Sequence, residues 1–214
     1  MKETMIVATG NVHKLTEIRE ILSGTGLEIL GMEEAGIDVE IIENGSTFEE
    51  NAVIKARTVA QASGRMALAD DSGLMVDAMG GEPGIHSARF MGRDTSYEIK
   101  NNAIIEKVNE YCRQKENDAS ETPGSLPDGT PGELRSARFV CAVAAAWPDG
   151  TVKTTVGVME GRIGYGITGE NGFGYDPIFF LPEYGMTSAQ ISPEEKNAIS
   201  HRGKAFRQMR DLLS

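Results

Sequence analysis

Cysteine is scarce in this chain. Cys112 and Cys141 are the two thiols among 214 residues, and they form no C-x-x-C pair. That excludes a disulfide-stapled scaffold and a thiolate zinc cage. Both read as small buried apolar residues of a reducing, cytoplasmic compartment. Histidine is nearly as rare, and His13, His86 and His201 are too few for a His-rich metal centre. Positive charge is in deficit: 21 Lys and Arg against 32 Asp and Glu leave a formal net charge of −11. Such a surface repels phosphodiester backbones, so no nucleic-acid partner is expected, although a local basic pocket for a phosphate ligand is compatible with it. Long apolar runs are missing too. The longest, Phe139 to Trp147, is far short of a bilayer span, and the N-terminus carries no signal-peptide core, so no membrane partner is expected. H-E-x-x-H, G-x-S-x-G, the EF-hand loop and the P-loop are all absent.

What is present is ordinary globular usage, 40% apolar and 25% charged residues. The length, 1–214, suits one domain or two compact lobes. Met5 to Thr9 reads as a buried strand, followed by a polar loop, Gly10 to Lys14, and a helix from Leu15 to Leu22. Val39 to Ile42 reads as a second short strand. Thr47 and Glu50 form a capping-box pattern that opens a helix through Ala62, ended by Gly64. Met66 to Ala69 is expected as a strand with Asp70 and Asp71 at its carboxyl end, followed by a Gly-rich loop to Gly92 and a helix from Ser96 to Arg113. Residues 115–135, rich in Pro, Gly, Ser and acids, read as an exposed insertion. Strands are expected at Ala137–Trp147 and Thr151–Met159, joined by a Pro148-Asp-Gly150 turn, and at Ile178–Phe180. Ser192-Pro-Glu-Glu195 is a strong helix start. Alternating helices and strands with one long hairpin predict an α/β or α+β fold with a mixed sheet.

Five clusters could carry chemistry. Asp70 and Asp71 are adjacent carboxylates suited to a hard divalent cation; strand alternation sends them to opposite faces, so one can face a site while the other braces the loop. Glu43 precedes Asn44-Gly45 at the end of an extended segment, where a loop carboxylate can reach a metal, whereas Thr47 and Glu50 are explained by capping. Thr9, Gly10, Asn11 and Lys14 lie between a strand and a helix, where α/β folds bind phosphates on helix N-terminal N–H groups. Phe173 and Tyr175 flank Gly174 and suit a flat ring, with Asp176 as an acceptor for a ring N–H. Lys196, His201 and Arg202 serve one pocket only if the helix breaks between them, and Ser200 is a plausible N-cap for the restart.

Together these segments closely resemble the inosine/xanthosine triphosphate pyrophosphatase family. The matching motifs run in order: Ala8 to Lys14, Glu43 to Ala52 leading to Lys55, Ala69 to Leu74, Gly80 to Gly84 leading to Ser87-Ala-Arg89, Gly172 to Pro177, and Ser192 to Asn197 leading to Ser200-His-Arg202. The resemblance implies a two-lobed α/β fold around a long mixed sheet flanked by helices, with the cleft between the lobes. It implies hydrolysis of ITP, dITP and XTP to the monophosphate and pyrophosphate, with Mg²⁺ as cofactor, in a cytoplasmic homodimer. Carried over, Thr9, Gly10, Asn11, Lys14 and Lys55 would hold phosphates. Glu43 and Asp71 would bind Mg²⁺, with Asp71 also the proton acceptor and Ser72 touching substrate. Phe173, Gly174, Tyr175, Asp176, Lys196, His201 and Arg202 would form the base pocket. Two other readings are a pyrophosphatase for modified pyrimidine nucleotides and a nucleotide-binding module without hydrolysis. Three departures stand out: the longer 115–135 segment, Gln190 where Glu is common, and His86 in place of an aromatic or aliphatic residue.

Overall fold

A computed structural model describes residues 4–117, 129 and 131–213. Its elements run β1 (Thr4–Val7), α1 (Val12–Ile21), β2 (Glu28–Gly31), α2 (Phe48–Ser63), β3 (Ala67–Val76), α3 (Tyr97–Asn117), β4 (Ser136–Ala146), β5 (Val152–Ile163), β6 (Phe179–Leu181), β7 (Met186–Thr187), α4 (Pro193–Ile199) and α5 (His201–Leu213). The seven strands are ordered β2-β1-β3-β4-β5-β6-β7. β1 pairs in parallel with β2 and β3, while β6 pairs antiparallel with β5 and β7, so the sheet is mixed as expected. Among the described residues, no helix is long and apolar enough to cross a membrane. Of the expected exposed insertion, 118–128 and 130 lie outside the described residues; its ends are corrected, since 115–117 close α3 and Pro131, Gly132 and Arg135 are buried.

The chain divides into two compact units. The first comprises Met1–Ser72, Val140–Val158 and Ile199–Ser214; the second comprises Gly73–Phe139 and Met159–Ala198. In the first, Met5 and Val7 of β1, Ile18 and Leu22, Leu68 of β3, Cys141 and Val143 of β4, and Ala205, Phe206 and Met209 of α5 make one apolar cluster. Burial pushes the Cys141 thiol up to about 12, which keeps it protonated and inert. α2 buries Phe48, Ala52, Ala56 and Val59 along one stripe. Thr47 Oγ1 accepts from the Glu50 N–H, and Gly64 closes the helix in the left-handed conformation.

The second unit is pinned by a buried cation. Arg135, 1% exposed, donates to the carbonyls of Ile163 and Gly164 and to Asn109 Oδ1, which satisfies the guanidinium without a carboxylate. Ile104, Val108 and Cys112 give α3 its buried face.

Two strand expectations are corrected. Val39 to Ile42 is not a strand: it has no regular structure, and Ile42 is 66% exposed, because this segment finds no core to cover. The edge strand is instead β2, paired through Thr4 with Glu28 to Val7 with Gly31. β3 also does not end at Ala69. It continues through Asp70 and Asp71 to Val76, because both carboxylates find charged partners inside the fold.

One close approach is decisive for α5. A Cβ on Gly157 of β5 would lie 2.1 Å from the His201 carbonyl oxygen and 2.7 Å from the Ala205 nitrogen, both backbone atoms. Gly157→Ala is therefore expected to destabilise the protein by at least about 2 kcal/mol in urea unfolding, as overpacked cores do. Unchanged stability would show that β5 and α5 separate freely.

Candidate functional site

In the first unit the site grows from two loops and two inward-facing carboxylates. After β1, Thr9 Oγ1 accepts from the Asn11 N–H, and Asn11 Oδ1 accepts from the Lys14 N–H at 3.2 Å. Asn11 thus caps α1, which begins at Val12 rather than at Leu15, so Lys14 sits in its first turn. A Cβ on Gly10 would meet nothing within 4 Å, so this turn is open to an approaching ligand. The Lys14 ammonium donates to Asp70 Oδ2 at 2.8 Å. Ser72 Oγ donates to the same oxygen at 2.7 Å, and Arg202 Nε lies 3.7 Å from it. Arg202 is also paired with Glu17.

Asp71 faces the other way, as strand alternation requires. Its Oδ2 accepts from Asn51 Nδ2 at 3.2 Å, and its Oδ1 lies 3.5 Å from the Lys55 ammonium. That ammonium is 3.6 Å from Glu43 Oε2. Glu43 and Asp71 therefore converge on one cation. Asn51 also ties the Glu43 loop down, since its Oδ1 accepts from the Gly45 N–H at 2.9 Å.

The environments of the two aspartates pull their acidities apart. Burial alone would raise Asp70, but Lys14, Arg202 and Lys55 outweigh it and hold the carboxyl well below the ordinary range. Burial raises Asp71; Lys55 and the Asn51 amide offset part of that, and the like charge of Glu43 adds to it. For Arg202, burial is opposed by Asp70 and Glu17, which hold the guanidinium firmly protonated.

A hard divalent ion fits this donor set. Among the described residues no three His, Cys, Asp or Glu side chains gather as a metal cage. Two convergent carboxylates, however, are what Mg²⁺ commonly takes from protein, with water and substrate phosphate completing its shell. Lys55 shows that the gap between Glu43 and Asp71 already accepts positive charge at loose distances.

In the second unit, the loop Gly172 to Asp176 is built around one carboxylate. Asp176 is 3% exposed; its Oδ2 accepts from the Lys196 ammonium at 2.7 Å and the Phe173 N–H at 2.8 Å, and its Oδ1 accepts from Ser188 Oγ at 2.8 Å. Gly172 is required here, because a Cβ would fall 2.2 Å from Asp176 Oδ2 on a backbone with φ of 75°. Lys196 also lies over the half-buried Phe173 ring, 5.1 Å from its centroid. Tyr175 is buried: its hydroxyl donates to the Ser87 carbonyl at 2.6 Å and its ring meets Tyr97 edge-on. Of the two aromatic residues expected to face a ligand, Phe173 is half-buried and Tyr175 is buried.

The capping and restart expectations at the C-terminal end are met. The Glu195 N–H donates to Ser192 Oγ, and Glu195 Oε2 accepts from the Ser192 N–H. α4 ends at Ile199, and Ser200 Oγ accepts from the Gly203 N–H to open α5. The structure places Lys196 beside Asp176 and commits Arg202 to Glu17 and Asp70 in the first unit, where two carboxylates balance its charge. Gln190 takes a simple role, its Oε1 accepting from the Thr187 N–H. His86 is exposed and its Nδ1 accepts from Arg89 Nε at 3.1 Å. Asn51, Ser188 and Glu17 were not anticipated. Asn51 lies within the Glu43-to-Ala52 motif, but nothing in its spacing marks a buried amide.

The Ham1 family model matches residues 5–212. The chain is 44% identical to the dITP/XTP pyrophosphatase of Nitratidesulfovibrio vulgaris over 217 residues, covering 99% of this chain and 96% of that one. It is 40% identical to the protein of the same name from Desulforamulus reducens, covering 98% and 95%. The solved structure of a HAM1 protein from Coxiella burnetii superposes with a TM-score of 0.77 at 36% identity, covering 99% of this chain and 98% of the other. The Staphylococcus aureus Ham1 protein gives 0.75 at 36% identity, with the same coverage.

Opposite stability effects follow for the two aspartates. Asp70→Asn leaves Lys14 and Arg202 without their shared counter-charge and is expected to cost about 3–5 kcal/mol at pH 7 in urea unfolding. Because its folded pKa is depressed, Asp70 stabilises the protein above the ordinary carboxylate range, and this is lost as pH falls through the lowered value. Asp71 has a raised folded pKa, so its ionisation opposes folding as pH rises through that value. Asp71→Asn should melt no lower than the parent at pH 7, with the difference closing in acid. A large loss of stability in Asp71→Asn would contradict this division.

Proposed function

The chain belongs to the Ham1 family, and from that premise we propose that it hydrolyses the deaminated purine nucleoside triphosphates ITP, dITP and XTP to the monophosphate and pyrophosphate, clearing them from the nucleotide pool. The observation that carries this reading is the convergence of Glu43 and Asp71 on one ammonium, in a unit that also holds Lys14 in the first turn of α1.

The physical task is to bring water to a phosphorus already crowded with negative charge. Thr9, Gly10, Asn11 and the first turn of α1 present donors to phosphate oxygens, and Lys14 and Lys55 offset their charge. Glu43 and Asp71 would hold Mg²⁺, which when bound polarises phosphoryl oxygens and offsets charge on the leaving pyrophosphate. The Asp71 carboxylate, between Lys55 and the Asn51 amide, takes the proton of the attacking water. Asp70 stays ionised and keeps Lys14, Ser72 and Arg202 in place. His201, first residue of α5, completes the proposed substrate set with Arg202.

Base selection falls to the second unit. Phe173 offers a ring face, and Lys196, oriented by Asp176 beside Gly174 and Tyr175, donates to the 6-oxo oxygen of hypoxanthine or xanthine. Adenine presents a 6-amino donor there, so two donors would face each other and leave buried groups unpaired. The Mg²⁺ identity, the homodimer and a cytoplasmic location belong to the same proposal.

The purified chain should release pyrophosphate from ITP and XTP with Mg²⁺, in preference to ATP, dUTP and methylated pyrimidine triphosphates. Asp71→Asn should lower kcat at least about 100-fold, as loss of a general base does. Orthophosphate as the first product, a pyrimidine preference, or near-normal turnover by Asp71→Asn would contradict the reading.

A further inference from the structure

Asn101 on α3 has no part in the motifs above, yet it is 2% exposed and reaches the base loop. Its Nδ2 donates to the Gly174 carbonyl at 3.1 Å. The orientation follows from chemistry, since the reversed amide would set two acceptor oxygens against each other. The other end is the unusual one: Asn101 Oδ1 is buried and has no hydrogen-bond partner among the described residues. A buried acceptor without a partner lowers stability and offsets what the Gly174 bond contributes, so the amide's net worth to the fold is small.

The loop is tied internally at Phe173, whose N–H donates to Asp176 Oδ2 and whose carbonyl accepts from the Asp176 N–H, while the next carbonyl, that of Gly174, is held from α3. Gly172 and Gly174 both adopt positive φ, 75° and 68°, on either side of Phe173. Glycines leave several backbone conformations open, so a contact on the Gly174 carbonyl narrows those the loop can take. α3 supplies the missing floor. Tyr97, one turn before Asn101, packs edge-on against Tyr175 with ring centroids 5.2 Å apart. Lys100, fully buried, donates to the Ala88 carbonyl at 2.9 Å, next to the Ser87 carbonyl that accepts from Tyr175. Within this bracket Asn101 is the contact that holds the backbone immediately after Phe173.

We infer that Asn101 is a positioning residue for base recognition: it fixes the Gly174 carbonyl and so orients the Phe173 ring and the Asp176–Lys196 pair toward a 6-oxo purine. The inference rests on the proposed function, and the test separates the two. Steady-state kinetics with ITP and ATP and thermal melts are measured for the parent, Asn101→Leu and Asn101→Ala, the alanine variant serving if leucine does not pack. The variants should stay folded at the assay temperature, with the alanine variant melting lower than the leucine one because it leaves a void. Their KM for ITP should rise about tenfold and their ITP-over-ATP selectivity in kcat/KM should fall about tenfold, the scale of a lost orienting contact in a specificity pocket. kcat for ITP should stay within about threefold, since the phosphate-end groups are untouched. A parent that does not prefer ITP to ATP would overturn the functional reading and this inference with it. A selective parent whose folded variants keep its KM and selectivity, or lose ITP and ATP turnover equally, would overturn the role of Asn101 alone.

Discussion

Two adjacent carboxylates in the middle of a strand are the constraint on which this structure depends. A strand cannot point neighbouring side chains the same way. Asp70 and Asp71 must therefore each find positive charge on a different side of β3, or the strand would have to end. Asp70 is met by Lys14 and Arg202, and Asp71 by Lys55. α1, α2 and α5 are thereby all tied to one short stretch of chain.

The same constraint pulls the acidities of the two groups in opposite directions. An acid held ionised by cations organises what surrounds it and is a poor proton acceptor. An acid whose basicity is raised by burial suits proton transfer. Environments that push neighbouring acids apart in this way are how proteins divide acid and base work between similar groups. The second unit follows another logic: buried neutral donors and the Asp176–Lys196 ion pair shape the loop around Phe173.

Local signals carried much of this in the sequence. Both capping boxes were legible because they are fixed-offset patterns, and the break at Ser200 followed from the divergence of Lys196 and His201 on an unbroken helix. The opposed directions of Asp70 and Asp71 followed from strand periodicity. Non-local features were not legible. β2 is an edge strand whose parallel partner lies upstream of a helix, and its four residues look no more strand-like than 39–42. The continuation of β3 through two charges was hidden because acids usually mark a strand's end, and only the distant Lys14, Lys55 and Arg202 make them tolerable. The hydrogen bond from Tyr175 to the Ser87 carbonyl and its edge-on contact with Tyr97 join distant parts of the chain, and no local pattern announces them. Asn51, Asn101 and Ser188 are small polar residues whose importance comes entirely from burial.

The account turns on Glu43 and Asp71 sharing a divalent ion. Crystals of the protein grown with Mn²⁺ and a non-hydrolysable inosine triphosphate analogue would show this directly through the metal's anomalous scattering. The account predicts a peak at coordination distance from both carboxylates, about 2 Å, with phosphate oxygens completing the shell. A peak bound by other side chains, or none between Glu43 and Asp71 while the analogue is bound, would contradict it.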